Sequence, residues 1–254
     1  MKIVVLVKMV PDLVEELSID PGGTALDTSW LRLIINEFDD HALEQAVLLK
    51  ERGGGEVTVM APEAEGVDDV LFTAAAKGAD RLIKLTGDPA SMASSHALAS
   101  AVAGVVKELQ PDLVLTGVQA NNDLDGPVGP VLAERLGIPY LGYVAGVTTS
   151  GDKAVARKEY PGGVIAEMEM SLPGVLGIQA AEKPPRYVAV SKVRQAMQTT
   201  TLESRPLPAP DVTGALPVAR MFQPEASQRA TMLEGDVDAV AAKLVGVLKE
   251  AGVL

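Results

Sequence analysis

Leu113-Val114-Leu115-Thr116-Gly117-Val118-Gln119-Ala120-Asn121-Asn122-Asp123-Leu124-Asp125-Gly126-Pro127-Val128-Gly129-Pro130 is the stretch on which the fold turns. It opens on an aliphatic run of the kind buried on both faces of a parallel sheet. It passes through a loop of Asn, Asp and Gly and runs into a helical pattern from Pro130 to Leu136. A loop that follows a buried strand and precedes a helix lies beyond the carboxyl end of the strand, where open α/β sheets bind ligands. Backbone amides of the Gly126 to Gly129 turn and the helix start behind it suit a phosphate. Pro130 suits a first helical turn. The same residues also make an ordinary long turn, so the loop alone leaves both readings open. Its spacing is neither that of a Walker loop nor that of the G-x-G-x-x-G dinucleotide fingerprint.

Outward from this stretch the pattern repeats. Similar runs occur at Ile3 to Val7, Val57 to Ala61 and Arg81 to Leu85, separated by helical patterns at Asp39 to Arg52, Val67 to Lys77 and Ala90 to Leu109. This alternation predicts a doubly wound α/β fold, mostly parallel and Rossmann-like. Asp39 or Asp40 is placed to cap the first helix, and Gly53-Gly54-Gly55 to end it. After about residue 140 the character changes. Val144 to Thr149 and Ala154 to Glu159 flank Ser150-Gly151-Asp152-Lys153, which predicts a hairpin extension with a further strand after Gly162-Gly163. Ser204 to Val218 is proline-rich and reads as an extended C-terminal arm. Asp236 to Ala251 sets Val237, Val240, Ala241, Leu244, Val245 and Leu248 on one face of a terminal helix. Residues 1–190 are therefore expected to form the nucleotide-binding domain. Residues 191–254 are expected to supply a further helix, the arm, which should lie on another surface, and the terminal helix.

Composition excludes several function classes. The 254 residues carry a formal charge of −12, which argues against nucleic acid or an anionic membrane as partner. There is no cysteine, so thiolate metal sites, disulfides and cysteine nucleophiles are ruled out, and a cytoplasmic location is expected. With only His41 and His96, a histidine-based metal cluster or triad has almost no ligands, so no metal and no catalytic residue is expected. The apolar run after Met1 is too short to span a bilayer, and no membrane insertion is expected. A second segment, Ile34-Ile35-Asn36-Glu37-Phe38-Asp39-Asp40-His41, enters the first helix. Asn36 and Asp39 are placed to contact an adenine or ribose, although capping explains Asp39 equally well.

Read together, these segments resemble the beta subunit of electron transfer flavoproteins along almost the whole chain. The resemblance is carried by the strand ending in Lys8, Asn36-Glu37-Phe38-Asp39 with Ala42-Leu43-Glu44, and Lys77-Gly78-Ala79-Asp80-Arg81. It continues in Asp112 to Gln119, Leu172-Pro173 and Pro185-Arg186-Tyr187. It implies a heterodimer with an alpha subunit that holds the redox FAD, and electron exchange with acyl-CoA dehydrogenase-type flavoenzymes. It also implies a nucleotide in this subunit: AMP in ordinary members, a second FAD in bifurcating members that oxidise NADH. The positions it implies for nucleotide contact are Leu6, Asn36, Glu37, Phe38, Asp39, Ala61, Val118, Gln119, Ala120, Asn121, Asn122, Asp123, Leu124, Asp125, Gly126, Pro127, Val128 and Gly129. Many AMP-binding members carry Asn-Gln-Thr-Gly where this chain has Gly126-Pro127-Val128-Gly129, whereas a valine at the place of Val128 is common in bifurcating ones. Val190 takes the place of a leucine that anchors the partner dehydrogenase. A stand-alone adenine-nucleotide-binding protein on a related sheet is the alternative from a different class.

Overall fold

The computed structural model describes residues 1–87, 94–209, 211, 216–224 and 230–254. Residues 1–220 form one compact unit and 221–254 a second. The first is organised around a seven-stranded sheet in which every neighbouring pair is parallel. Its centre is β1 (Lys2–Leu6), whose residues Ile3 to Leu6 are all buried. β4 (Glu56–Pro62) and β6 (Leu113–Gly117) pair on its two sides. β5 (Arg81–Thr86) lies beyond β4, and β11 (Gly174–Ile178) and β7 (Tyr140–Val144) lie beyond β6.

Alternation along β1 divides the core into two layers. Ile3 and Val5 face α1 (Glu37–Gly53) and α2 (Val67–Lys77), while Val4 and Leu6 face α3 (Ser95–Leu109) and α4 (Val128–Leu136). Each aliphatic side chain fully removed from water contributes about 1.5–3 kcal/mol, so a central strand apolar on both faces anchors both layers at once.

Helix boundaries follow local chemistry, with two shifts from expectation. α1 begins at Glu37 after Asn36, not at Asp39, because the Asp39 side chain turns inward. It ends as expected on the glycines: the Gly54 N–H donates to Lys50 O. Ser94 caps α3 by accepting from Ala97 N, which sets its start at Ser95; the expected first positions Ala90 to Ala93 lie outside the described residues. α4 starts at Val128, so Pro130 is its third residue, still within the first turn.

The expected hairpin is present as β8 (Val147–Ser150), β9 (Lys153–Tyr160) and β10 (Val164–Ser171), antiparallel throughout. The proline-rich stretch is not wholly an arm. Leu202–Pro206 is β12, an edge strand running parallel to β5, with the Arg81 guanidinium donating to Glu203 at 2.9 Å. The chain after residue 190 thus contributes to the first unit up to Arg220. α5 (Val190–Thr199) packs on α2. Two short strands, β2 (Met9–Pro11) and β3 (Leu33–Ile35), pair antiparallel beside the carboxyl edge of the sheet. In the second unit, Asp236 caps α6 (Val237–Glu250) by accepting from Ala239 N, and the helix keeps an exposed apolar face including Val237 and Leu244. No helix among the described residues is long and apolar enough to cross a membrane.

Candidate functional site

β1 has β4 on one side and β6 on the other, so successive crossovers leave it in opposite directions and open a crevice at the carboxyl ends of β1 and β6. Asp39 lies at its floor. Its carboxylate is buried and accepts from two backbone amides, Lys8 N at 2.8 Å and Gly117 N at 2.6 Å. It thereby ties α1 to the ends of both strands. Burial pushes its carboxyl up to about 6, against the lowering influence of those two amides, the Lys8 charge and Asn36. Asp39 is thus not the helix cap; its carboxylate is held by strand-end amides where it bounds the crevice.

Gly117 is required by close approach. A Cβ there would stand 2.5 Å from Asp39 Oδ1 and 2.8 Å from Phe38 Cβ. Asn36 Nδ2 donates to Gln119 O at 2.9 Å and holds the loop after β6 against α1. The loop is braced again by Asp123, which accepts from Lys8 Nζ at 2.5 Å, Ala120 N at 2.8 Å and Ser95 Oγ at 3.1 Å. Asp125 accepts from Ser95 N at 2.9 Å and His96 N at 3.4 Å, at the start of α3. Asn121 Nδ2 reaches Pro11 O at 3.1 Å and closes the loop onto β2.

Two neighbouring spaces result. The inner one, about 10 Å³, is bounded by Leu6, Lys8, Asn36, Thr116, Asp123 and Val128 among others. The outer one, about 370 Å³, runs between the β2–β3 pair and the loop, along Val10, Leu13, Ile34, Phe38 and Asn121. Asn36, Gln119 and Ala120 border both. Thr116 Oγ1 is buried and has no hydrogen-bond partner. It faces the first turn of α4, where a Cβ on Gly129 would come within 2.8 Å of it. An orphaned hydroxyl beside a helix start, in a crevice bounded by Gly117, fits the phosphate end of a nucleotide.

The structure distributes the expected site residues unevenly. Leu6, Asn36, Asp39, Gln119, Ala120, Asp123 and Val128 bound the inner space, and Glu37, Phe38 and Asn121 the outer one. Ala61 and Val118 are buried in the body of the protein, and Leu124 is exposed. Asn122, Asp125, Gly126, Pro127 and Gly129 belong to the loop and helix start without bounding either space. Lys8, Thr116 and Gly117 bound the site but are not among the positions expected to contact a nucleotide. Their signal was topological, since each sits at the carboxyl end of a central strand. Among the described residues no group of three or more His, Asp or Glu is arranged to hold a metal.

Val190 is the first residue of α5 and 62% exposed, next to an exposed Tyr187. The chain leading to it is laced to α1. Ala181 N donates to His41 Nδ1 at 3.2 Å, Glu182 N to Gln45 Oε1 at 3.2 Å, and Glu182 pairs with Arg52. Arg186 bridges Glu44 at 2.8 Å and Glu51 at 2.6 Å, and these hydrogen-bonded carboxylates raise its own pKa. His41 is therefore a structural acceptor.

The profile of the Electron transfer flavoprotein domain matches residues 25–210. The electron transfer flavoprotein subunit beta of Methylophilus methylotrophus is 34% identical, over 98% of each chain. The caffeyl-CoA reductase-Etf complex subunit CarD of Acetobacterium woodii is 33% identical over the full length of both. Protein FixA of Azorhizobium caulinodans is 30% identical, over 96% of this chain and 92% of its own.

Proposed function

This chain belongs to the electron transfer flavoprotein family, and we propose that it serves as the beta subunit of a heterodimer, holding AMP as a structural ligand. The observation that carries the reading is the crevice between β1 and β6, where Thr116 Oγ1 stands without a partner at the start of α4. Thr116 and the α4 amides of Val128 and Gly129 would hold the phosphate, with Asn36 and Asp39 fixing the wall behind it. The alpha subunit would carry the redox FAD, which supplies hydride and single-electron transfer when bound. No residue of this chain makes or breaks a bond in this reading. Its residues bind the nucleotide, order the loop after β6 and hold the docking segment at Val190. The expected electron donors are acyl-CoA dehydrogenase-type flavoenzymes.

A second reading has one observation in its favour. The outer space is roomy, apolar along Val10, Leu13, Ile34 and Phe38, and shares Asn36, Gln119 and Ala120 as its border with the inner one, so a ligand longer than AMP, such as a second FAD, would have somewhere to extend. Co-expression with the alpha subunit, followed by denaturation and quantification of released nucleotides, separates the two. One AMP and one FAD per heterodimer support the first reading. Two FAD and no AMP support the second. No complex at all refutes both.

A further inference from the structure

α3 and α4 lie on the same face of the sheet, and both begin at the carboxyl edge beside the crevice. Each helix start is a position for an anion. At α4 it is open. Pro127 and Pro130 have no N–H, which leaves the amides of Val128 and Gly129, and the buried, partnerless Thr116 Oγ1 faces the same turn. At α3 the position is filled from within the chain. The Asp125 carboxylate accepts from the Ser95 and His96 amides, and Ser94 Oγ accepts from Ala97 N. Two residues, Gly126 and Pro127, separate Asp125 from Val128, so three Cα–Cα steps hold their Cα atoms at most about 11 Å apart, within reach of a ligand extended by one phosphate.

Charge follows the same division. Of the residues bounding the inner space, Lys8 is the only cation, and it is committed to Asp123 at 2.5 Å. A second phosphate directed toward α3 would meet Asp125 and Asp123 with no further positive group among those residues. We propose that Asp125 is a specificity-determining residue: by occupying the amides of α3 it confines the crevice to a ligand with a single phosphate, a nucleoside monophosphate, and rejects diphosphates. This inference rests on reading the crevice as a nucleotide site.

The test is calorimetric titration of the heterodimer, stripped of nucleotide, with AMP and with ADP. Wild type is expected to favour AMP by more than about tenfold. Asp125→Asn removes the charge, and Asp125→Ala also frees both α3 amides. Each should raise ADP affinity about tenfold while AMP affinity stays within about threefold, and a gain of affinity cannot come from misfolding. Variants that bind AMP normally with an unchanged AMP-to-ADP ratio, or that lose both nucleotides with unchanged thermal stability, overturn the role of Asp125 and leave the nucleotide site standing. A wild-type complex that releases a diphosphate dinucleotide from this chain, or binds neither AMP nor ADP, overturns the AMP reading and this inference together.

Discussion

Asp39→Asn should convert the buried hub of the site into a measurable pH signature. In the folded protein the Asp39 carboxyl is pushed up to about 6 from an ordinary 3.8, with burial as the leading cause. Between those values the folded state holds a proton that the unfolded state has released. Stability therefore falls as pH rises through this window, and the loss is complete by about pH 7. A displacement of about two units corresponds to about 3 kcal/mol. Asparagine matches protonated Asp39 in shape and in its single donor-bearing arm, and its one oxygen can accept from Lys8 N or Gly117 N but not both. Variant and wild type should thus differ little in stability near pH 4, and from there to pH 7 the variant should gain about 2.5 kcal/mol on wild type, about 1.5 of them between pH 4.5 and 6. Urea unfolding of both proteins at half-unit pH intervals measures this directly. Two stability curves that stay parallel within about 0.5 kcal/mol across pH 4.5 to 7 would refute the reasoning.

Four further outcomes follow from the packing. Gly117→Ala should cost about 1–3 kcal/mol and weaken nucleotide retention, because the new Cβ stands 2.5 Å from Asp39 Oδ1; a variant with wild-type melting and full nucleotide content would contradict this. Gly55→Ala should lower stability by about 3 kcal/mol, since Gly55 has φ +121° and its Cβ would run into the carbonyl oxygen of Met1; thermal melting tests it. Arg186→Ala strands the buried Glu44 and should cost about 2 kcal/mol, reduced from the value for a fully buried pair because Arg186 is partly exposed, with a visible rise in hydrogen exchange along 181–187. Val190→Leu adds one buried methylene at the docking segment and should lower the Michaelis constant of the partner dehydrogenase for the complex about fourfold; no change would place Val190 outside the contact.

Much of this fold could be read from the chain, and what could not has a common cause. β1, β4, β5 and β6 announce themselves because both faces of each are buried, leaving runs of aliphatic residues. β7 and β11 belong to the same sheet but are interrupted by Gly142 and by Gly174 and Gly177, where Tyr140 packs too closely for a Cβ at Gly142 and Gly177. β12 reads Leu-Glu-Ser-Arg-Pro, a polar edge that becomes a strand only because β5 offers it an unpaired side. At the crevice, the sequence marks the loop after β6 by its Asn, Asp and Gly, and of that loop Gln119, Ala120, Asn121, Asp123 and Val128 border the two spaces together with Asn36. The inward turn of Asp39 was not legible, because the amide that holds it belongs to Gly117, 78 residues away.

The late arrival of β12 has a consequence for biosynthesis. Arg81 and Glu203, which join β5 to its outermost neighbour, are 122 residues apart. At roughly 5–20 residues per second, a ribosome takes about 6 to 25 s to bridge that interval, during which one flank of an aliphatic strand has no backbone partner. Every residue bounding the inner crevice has been made by then. A transcript ending at residue 201 would therefore encode a complete inner crevice on a sheet with an open flank, a polypeptide more prone to stick to its neighbours on the polysome than to hold its ligand.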